Sequence, residues 1–219
     1  IFDVSNDASA TIRREAGDHL KSSLTAGLTY DSRDSVFLTR RGQKIDLSVY
    51  AAGGPLGGDV EIYGFDLAGS QYFRLPWDTI FLINGEVASV DTWAGGDRVP
   101  IFDRLYLGGP NNLRGFRFRR VSPRDEEGEP IGGQTLARLT FEYTFPIIER
   151  VRGAVFYDTG FVNSGAYDFG TGNLASDVGL GVRLDLPIGP VRLDYGIPLQ
   201  SPFDNGKSGK FHFTIGYQF

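Results

Sequence analysis

The chain has 219 residues, with 22 Lys or Arg against 27 Asp or Glu, and a formal net charge of −5. This mild acidity argues against a nucleic-acid-binding protein, and the absence of cysteine excludes disulfides, thiolate zinc sites and cysteine nucleophiles. With only two histidines a histidine-rich metal site is not expected, and 30 glycines with 13% aromatic residues favour an all-β domain over a helical bundle.

Apolar and polar residues alternate along most of the chain with the period of two that is typical of β-strands. In chain order this pattern predicts nine strands, at Leu24–Tyr30, Ile45–Ala51, Glu61–Phe73, Ile80–Ser89, Leu136–Phe145, Val151–Phe161, Leu174–Leu186, Val191–Leu199 and Phe211–Phe219. The last of these shows the pattern most clearly, because Phe211, Phe213 and Ile215 alternate with His212 and Thr214.

Short and long connections alternate between the predicted strands. The connections at 146–150 and 187–190 are tight and contain proline, whereas 162–173 and above all 93–134 are long and rich in glycine and polar residues. Short turns on one side and long loops on the other are typical of an outer-membrane barrel. A soluble barrel or sandwich is the alternative, but the terminal aromatic residue Phe219 favours a transmembrane antiparallel β-barrel.

The length of the chain bounds the size of this barrel. At about 9–11 residues per spanning strand plus connections, 219 residues hold nine or ten strands. The segment Ile1–Val4 is similar to the end of an earlier strand, so we expect one domain over residues 1–219 that forms the C-terminal part of a larger barrel. The alternative is a small barrel of eight or ten strands that closes on itself.

The longest connection carries a run of motifs. Gly108–Pro110 precedes the segment Leu113, Arg114, Gly115 and Phe116, and Pro123–Asp125 and Gly132–Gly133 follow it. A Phe-x-Asp-x-Gly element then occurs at Phe156, Asp158 and Gly160. In this order and spacing the segments resemble the sixth extracellular loop and a barrel strand of the Omp85 superfamily. The resemblance covers essentially the whole chain, and Leu113 is a conservative departure from the usual β-branched residue.

This resemblance implies a function without ATP or covalent chemistry, namely the folding and insertion of β-barrel proteins into the bacterial outer membrane. It implies a sixteen-stranded barrel preceded by periplasmic POTRA domains. The implied partners are unfolded β-barrel substrate proteins, accessory lipoproteins, outer-membrane lipids and lipopolysaccharide, with no nucleic acid, cofactor or metal. A secretion pore of the same superfamily and an inactive minimal barrel fragment are the alternatives.

Alternation along two neighbouring strands places carboxylates in the barrel lumen. Phe156, Asp158 and Gly160 share one face, and Glu142 lies on the polar face of the adjacent strand. A guanidinium on an inward-folding loop, such as that of Arg114, would meet both carboxylates with fork geometry. The resemblance implies the same arrangement, in which Arg114 pins the loop.

The neighbours of Arg114 have expected roles of their own. Gly115 is expected to let the backbone turn sharply, and Phe116 to wedge against the barrel wall. From the residues alone, a solvated loop cation is the alternative for Arg114. That interpretation is kept for Arg117, Arg119 and Arg120.

The resemblance also implies a lateral seam between the first and last strands. One lip of the seam and the C-terminal recognition signal are expected at Phe211, Phe213, Ile215, Gly216, Tyr217 and Phe219. Gly216 is the expected weak point, because glycine inside a strand weakens the ladder. His212 points inward without a predicted partner, and because no nucleophile with a base is recognisable we expect no enzymatic activity.

Overall fold

The computed structural model describes residues 13, 17–36, 38–93, 98–186, 189–203 and 208–215. The strands are β1 (Ser23–Asp31), β2 (Gly42–Ala52), β3 (Ile62–Leu75), β4 (Thr79–Thr92), β5 (Thr135–Ile148), β6 (Val151–Asn163), β7 (Ala175–Leu186), β8 (Gly189–Gln200) and β9 (Lys210–Ile215). Short 3-10 turns lie at Gly54–Leu56, Pro76–Asp78 and Thr171–Asn173.

The structure confirms the all-β fold class and the nine strands predicted from alternation. Most observed strands extend one to three residues beyond the predicted bounds, because regular pairing continues into the connections. The last strand is described as far as Ile215, and Gly216, Tyr217 and Phe219 lie outside the described residues. Among the described residues, no helix combines the length and the apolar character that a membrane crossing requires.

All nine strands belong to one antiparallel sheet in which each strand pairs with the next in chain order. The strands β1 and β9 are therefore its two edges, and no pairing joins them within the part of the chain that the structure describes. This open sheet does not match the alternative of a small barrel that closes on itself. Two register shifts, at Pro146/Ile148 and Ser176/Asp177, interrupt otherwise regular ladders.

The two faces of the sheet differ in polarity as the alternation predicts. On the outer face large apolar side chains are solvent-exposed, among them Leu28, Leu180 and Phe211 with 70%, 65% and 66% exposure. A contiguous exposed apolar surface of this kind is what a lipid-facing barrel wall presents. The inner face carries buried polar and charged residues, including Glu142 and Asp158.

The connection between β4 and β5 comprises residues 93–134, and its described residues 98–134 cover the inner face of the sheet. Two bridges hold its stem: Leu105 pairs with Gly133, and Leu107 pairs with Val121 through two backbone hydrogen bonds of 3.0 Å. A buried apolar cluster joins the loop to the wall strands; its members are Leu107, Leu113, Phe116, Val121, Leu136, Val162 and Ala175. The main core thus lies between this loop and the inner face of β5, β6 and β7.

The turn between β1 and β2 is held by local polar contacts. Asp34 Oδ1 accepts hydrogen bonds from the backbone N–H groups of Arg40 at 2.9 Å and Arg41 at 3.3 Å. The hydrogen bond from Arg40 does most to hold the pKa of the Asp34 carboxyl below its ordinary value. Arg33 donates from Nε and an Nη to the carboxylate of Asp31, which adds a local salt link to this connection.

Candidate functional site: the inward-folded loop

The tip of the 93–134 loop is shaped by local hydrogen bonds and glycine. The Asn112 side-chain oxygen accepts from the backbone N–H groups of Gly108 at 2.8 Å and Leu113 at 2.7 Å. Gly108 has a φ of 103°, a conformation that side-chain-bearing residues rarely adopt. The chain then turns at Arg114 and Gly115, where Phe116 N donates to the Leu113 carbonyl at 3.2 Å.

This turn delivers Arg114 to β6. Its Nε lies 2.8 Å from Asp158 Oδ2 and its Nη2 lies 2.9 Å from Asp158 Oδ1, which is a bidentate fork. The backbone N–H of Arg114 also donates to Asp158, at 3.2 Å, and Thr140 Oγ1 donates to the same carboxylate at 2.8 Å. Because Arg114 is only 2% exposed and Asp158 is fully buried, water does not screen this pair.

A second carboxylate, on β5, extends the contact into a network. Arg114 Nη1 lies 2.6 Å from Glu142 Oε2, and Arg183 donates to the same carboxylate at 2.8 and 3.2 Å. Arg183 Nη1 also donates to Asp194 on β8 at 2.6 Å, and Asp194 lies 3.8 Å from Arg114 Nη1. We call Arg114, Glu142, Asp158, Arg183 and Asp194 the arginine lock.

The environment of the lock favours a permanently charged arginine. A guanidinium remains protonated at every physiological pH, so the three carboxylates of the lock always face a cation. The Arg114 guanidinium also stacks on Phe156, with its carbon 3.4 Å from the ring centroid. Burial makes the individual contacts strong, but it also makes the loss of one partner costly, because the others would remain buried without compensation.

One buried carboxylate lies beside the lock without belonging to it. Asp177 on β7 is directly opposite Asp158 in the β6–β7 register and is fully buried. Two carboxylates in this position repel each other, so the charge of Arg114 offsets an unfavourable cross-strand pair. The loop backbone at Gly115 covers Asp177.

Glycines allow the loop backbone to lie directly on the wall. A Cβ on Gly115 would lie 2.5 Å from the Asp177 Cβ, and a Cβ on Gly196 of β8 would lie 2.6 Å from the carbonyl carbon of Arg114. Gly115 does not adopt a positive φ. The turn expected at this position is present, and close approach to Asp177, not a positive φ, is what requires glycine there. Gly179 similarly makes room for the Phe156 ring.

The remaining predicted residues of the loop motif lie in the apolar core. Leu113 is fully buried and Phe116 is 1% exposed, and both pack in the cluster with Leu136 and Val162. A Cβ on Gly160 would lie 2.9 Å from the Leu107 side chain, so this glycine accommodates the loop stem.

The predicted seam residues are placed on the outer face of the edge strand. Phe211, Phe213 and Ile215 alternate outward and are exposed to 66%, 58% and 56%. Gly216, Tyr217 and Phe219 lie outside the described residues, so their expected roles stay predictions.

Sequence reasoning missed several members of the site. Alternation along β7 and β8 puts Arg183 and Asp194 on the inner face, but nothing in the sequence pairs them with Glu142. His212, for which no partner was predicted, lies with its Nε2 2.9 Å from the backbone oxygen of Arg114. The sequence signal that could have identified these residues is a charged or polar residue on the inner face of each of three neighbouring strands, β7, β8 and β9.

Of the three loop arginines expected to be solvated, two are exposed and Arg120 is half-buried. Arg117 and Arg119 are exposed, and the Arg119 guanidinium stacks on the rings of Tyr106 and Phe118. Glu126 and Glu127 are exposed at a loop tip. Within the described ranges no group of three or more His, Cys, Asp or Glu side chains is arranged to hold a metal ion.

Comparison with known proteins gives a consistent relationship. The Omp85 superfamily domain model matches residues 2–219. The chain is 30% identical over its whole length to the outer membrane protein assembly factor BamA of Nitratidesulfovibrio vulgaris, and 36% identical over 60% of its length to the human sorting and assembly machinery component 50 homolog. It spans 28% and 27% of the length of these two relatives.

A solved structure gives the same result for the fold. The crystal structure of BamA from Haemophilus ducreyi lacking POTRA domains 1–3 superimposes with a TM-score of 0.76 and 22% sequence identity. The match covers 90% of this chain and 42% of that one. From its whole-length match to the family model and to a relative at 30% identity, the chain belongs to the Omp85 superfamily.

Proposed function

We propose that this chain is the C-terminal barrel wall of an outer-membrane protein assembly factor, which folds and inserts other β-barrel proteins into the bacterial outer membrane. The observation that carries the proposal is the match of the whole chain, at 30% identity, to an assembly factor of that name. The similarity to the sorting and assembly machinery component supports the same class of activity.

The geometry fits a mechanism that uses strand pairing instead of covalent chemistry. The edge strand β9 has a backbone ladder on one side, to β8, and a free edge on the other in the described sheet. An incoming strand would pair with such an edge through main-chain hydrogen bonds, as in β-augmentation. The exposed apolar outer face would meanwhile contact the lipid, and a thinned bilayer beside it would lower the cost of moving polar turns across.

In this proposal the arginine lock gives the wall its rigidity. Arg114 connects the loop to β5 and β6 through Glu142 and Asp158, so the strands beside the working edge keep one shape while substrates pair and leave. The partners are unfolded β-barrel proteins, outer-membrane lipids with lipopolysaccharide, and accessory lipoproteins of the assembly complex. No ATP, metal or cofactor has a role in this mechanism.

The proposal is tested by refolding the chain into liposomes and following the insertion of an unfolded eight-stranded barrel by its heat-modifiable gel mobility. We expect faster insertion than into empty liposomes of the same lipid composition. The Arg114→Ala variant, in which the loop is released from the wall, is measured in the same way, and its acceleration is expected to be smaller.

No acceleration by this chain alone, once its own heat-modifiability shows that it is folded, would mean that the activity needs the rest of the longer protein. If the longer protein containing this chain also fails to accelerate insertion, the activity belongs to another class. Release of a co-reconstituted soluble partner through the lumen would then indicate a secretion pore.

A further inference from the structure

The strand β9 is one of the two edges of the described sheet. Its described residues 210–215 pair with β8, from Val191↔Ile215 to Gly196↔Lys210. Its outward side chains Phe211 and Phe213 are exposed and pack against no core cluster. Because β9 has a partner strand on one side only in the described sheet, an additional contact on its inner face matters for the order of the strand.

Such a contact comes from the loop. His212 lies on the inner face of β9, and its Nε2 is 2.9 Å from the backbone carbonyl oxygen of Arg114. Because a carbonyl only accepts, Nε2 carries the hydrogen and donates it. The two residues are 98 positions apart in the chain, so the contact is a tertiary one between the loop tip and the sheet edge.

The part of β8 beneath this contact allows the loop backbone to approach the sheet closely. Gly196 on β8 has no side chain, and a Cβ there would lie 2.6 Å from both the Arg114 carbonyl carbon and the Gly115 nitrogen. In the ladder, Lys210 pairs with Gly196 and His212 pairs with Asp194. His212 therefore lies next to the place on β8 where the loop backbone rests. We call the loop seated when its backbone at Arg114 and Gly115 rests on Gly196. The carbonyl of Arg114 therefore reaches β9 only while the loop is seated.

Arg114 thus connects two middle strands of the described sheet to its β9 edge. Its side chain holds Asp158 on β6 and Glu142 on β5, whereas its main chain accepts from His212 on β9. Withdrawal of Arg114 from the lock moves the carbonyl oxygen that His212 binds. Any event that opens the lock is transmitted to the edge strand through one hydrogen bond.

We propose that His212 is a positioning residue that couples the seated state of the 93–134 loop to the order of the edge strand β9. With the loop seated, β9 is held from its inner face as well as by β8. With the loop withdrawn, β9 retains only the β8 ladder and exchanges its pairing more readily. This inference rests on the proposed function, in which the coupling determines when the edge is available to an incoming strand.

The test is hydrogen–deuterium exchange of the whole chain in detergent micelles, read at residues 210–215 and at residues 107–121. We expect His212→Leu to speed exchange at 210–215 about fivefold, the effect of losing one ordinary hydrogen bond. His212→Gln keeps an N–H donor and is expected to restore most of the protection. Thr214→Val, on the same inner face of β9, is the matched control and is expected to change nothing.

Coupling between two sites is reciprocal, so a second variant tests the same proposal from the loop. Arg114→Ala removes a side chain that reaches β5 and β6, and we expect faster exchange at residues 210–215 as well as at 107–121. Unchanged exchange at 210–215 in both His212→Leu and Arg114→Ala would overturn the proposal. Because no substrate is present, this result is independent of whether the chain accelerates insertion.

Discussion

At the scale of single residues, the position of the loop depends on one guanidinium buried among carboxylates. Arg114 meets Asp158 with two parallel hydrogen bonds and Glu142 with a third, and all three residues are at most 7% exposed. A lysine in this place would supply the charge but not the fork. The lock therefore depends on the shape of the arginine as well as on its charge.

Arg114→Ala is expected to destabilise the seated loop by about 3–5 kcal/mol, because Asp158 stays buried without its cation and Glu142 retains only Arg183. Arg114→Lys should recover only part of this loss. Limited proteolysis measures the effect as faster cleavage within residues 93–134. Arg117→Ala, which removes an exposed cation three positions away, is the control, and a wild-type cleavage pattern in Arg114→Ala would contradict the lock.

Gly196→Ala is expected to lift the loop tip from β8, since the new Cβ would lie 2.6 Å from loop backbone atoms. Overpacking of this kind costs about 1–3 kcal/mol. Thermal loss of the heat-modifiable folded band gives the change in stability. Gly172→Ala, where a Cβ meets nothing within 4 Å, should leave the transition in place, and equal effects of the two substitutions would refute close approach as the cause.

At the scale of elements, the loop and the wall share one core although they belong to different parts of the chain. Phe116 and Leu113 from the loop pack against Leu136 of β5, Val162 of β6 and Ala175 of β7. The wall side chains of this cluster lie near the ends of their strands, whereas the lock occupies the middle of the sheet. Apolar packing and ion pairing thus hold the loop at two different positions along the strands.

Phe116→Ala is expected to cost about 3–5 kcal/mol in the stability of the loop–wall contact, as a large cavity forms in a packed cluster. The arginine lock would remain, so proteolysis should reach the stem of the loop before the tip. Phe118→Ala, which removes an exposed ring two residues away, is the matched comparison. Equal protease sensitivity of these two variants would show that the cluster contributes nothing to holding the loop.

At the scale of the whole molecule, alternation alone predicted the architecture, since it is a local property of each strand. It assigned nine strands and placed Glu142 and Asp158 on the inner face. It gave no register between strands, so Arg183 and Asp194 were not joined to Glu142, and His212 was left without a partner. The contact of His212 with Arg114 spans 98 residues and depends on Gly196, which the sequence marks only as a glycine in a strand.

The burial of the lock has a consequence for its salt dependence. At 1 M salt the screening length is about 3 Å, which weakens exposed ion pairs but not buried ones. The pair between Lys21 and Asp103 of the loop is partly exposed and is expected to weaken. Protection of residues 107–121 from proteolysis should nevertheless persist from 0.05 to 1 M NaCl at about the same level, and loss of this protection at high salt would mean that surface pairs hold the loop.

The most direct test of the lock is a double-mutant cycle between Arg114 and Asp158. Wild type, Arg114→Ala, Asp158→Ala and the double variant are compared by the free energy of loop opening, measured from hydrogen exchange at residues 107–121. Because the pair is bidentate and buried, we expect a coupling energy of about 2 kcal/mol or more. A coupling energy below about 0.5 kcal/mol, with additive single effects, would contradict an arginine lock that holds the loop inside the barrel.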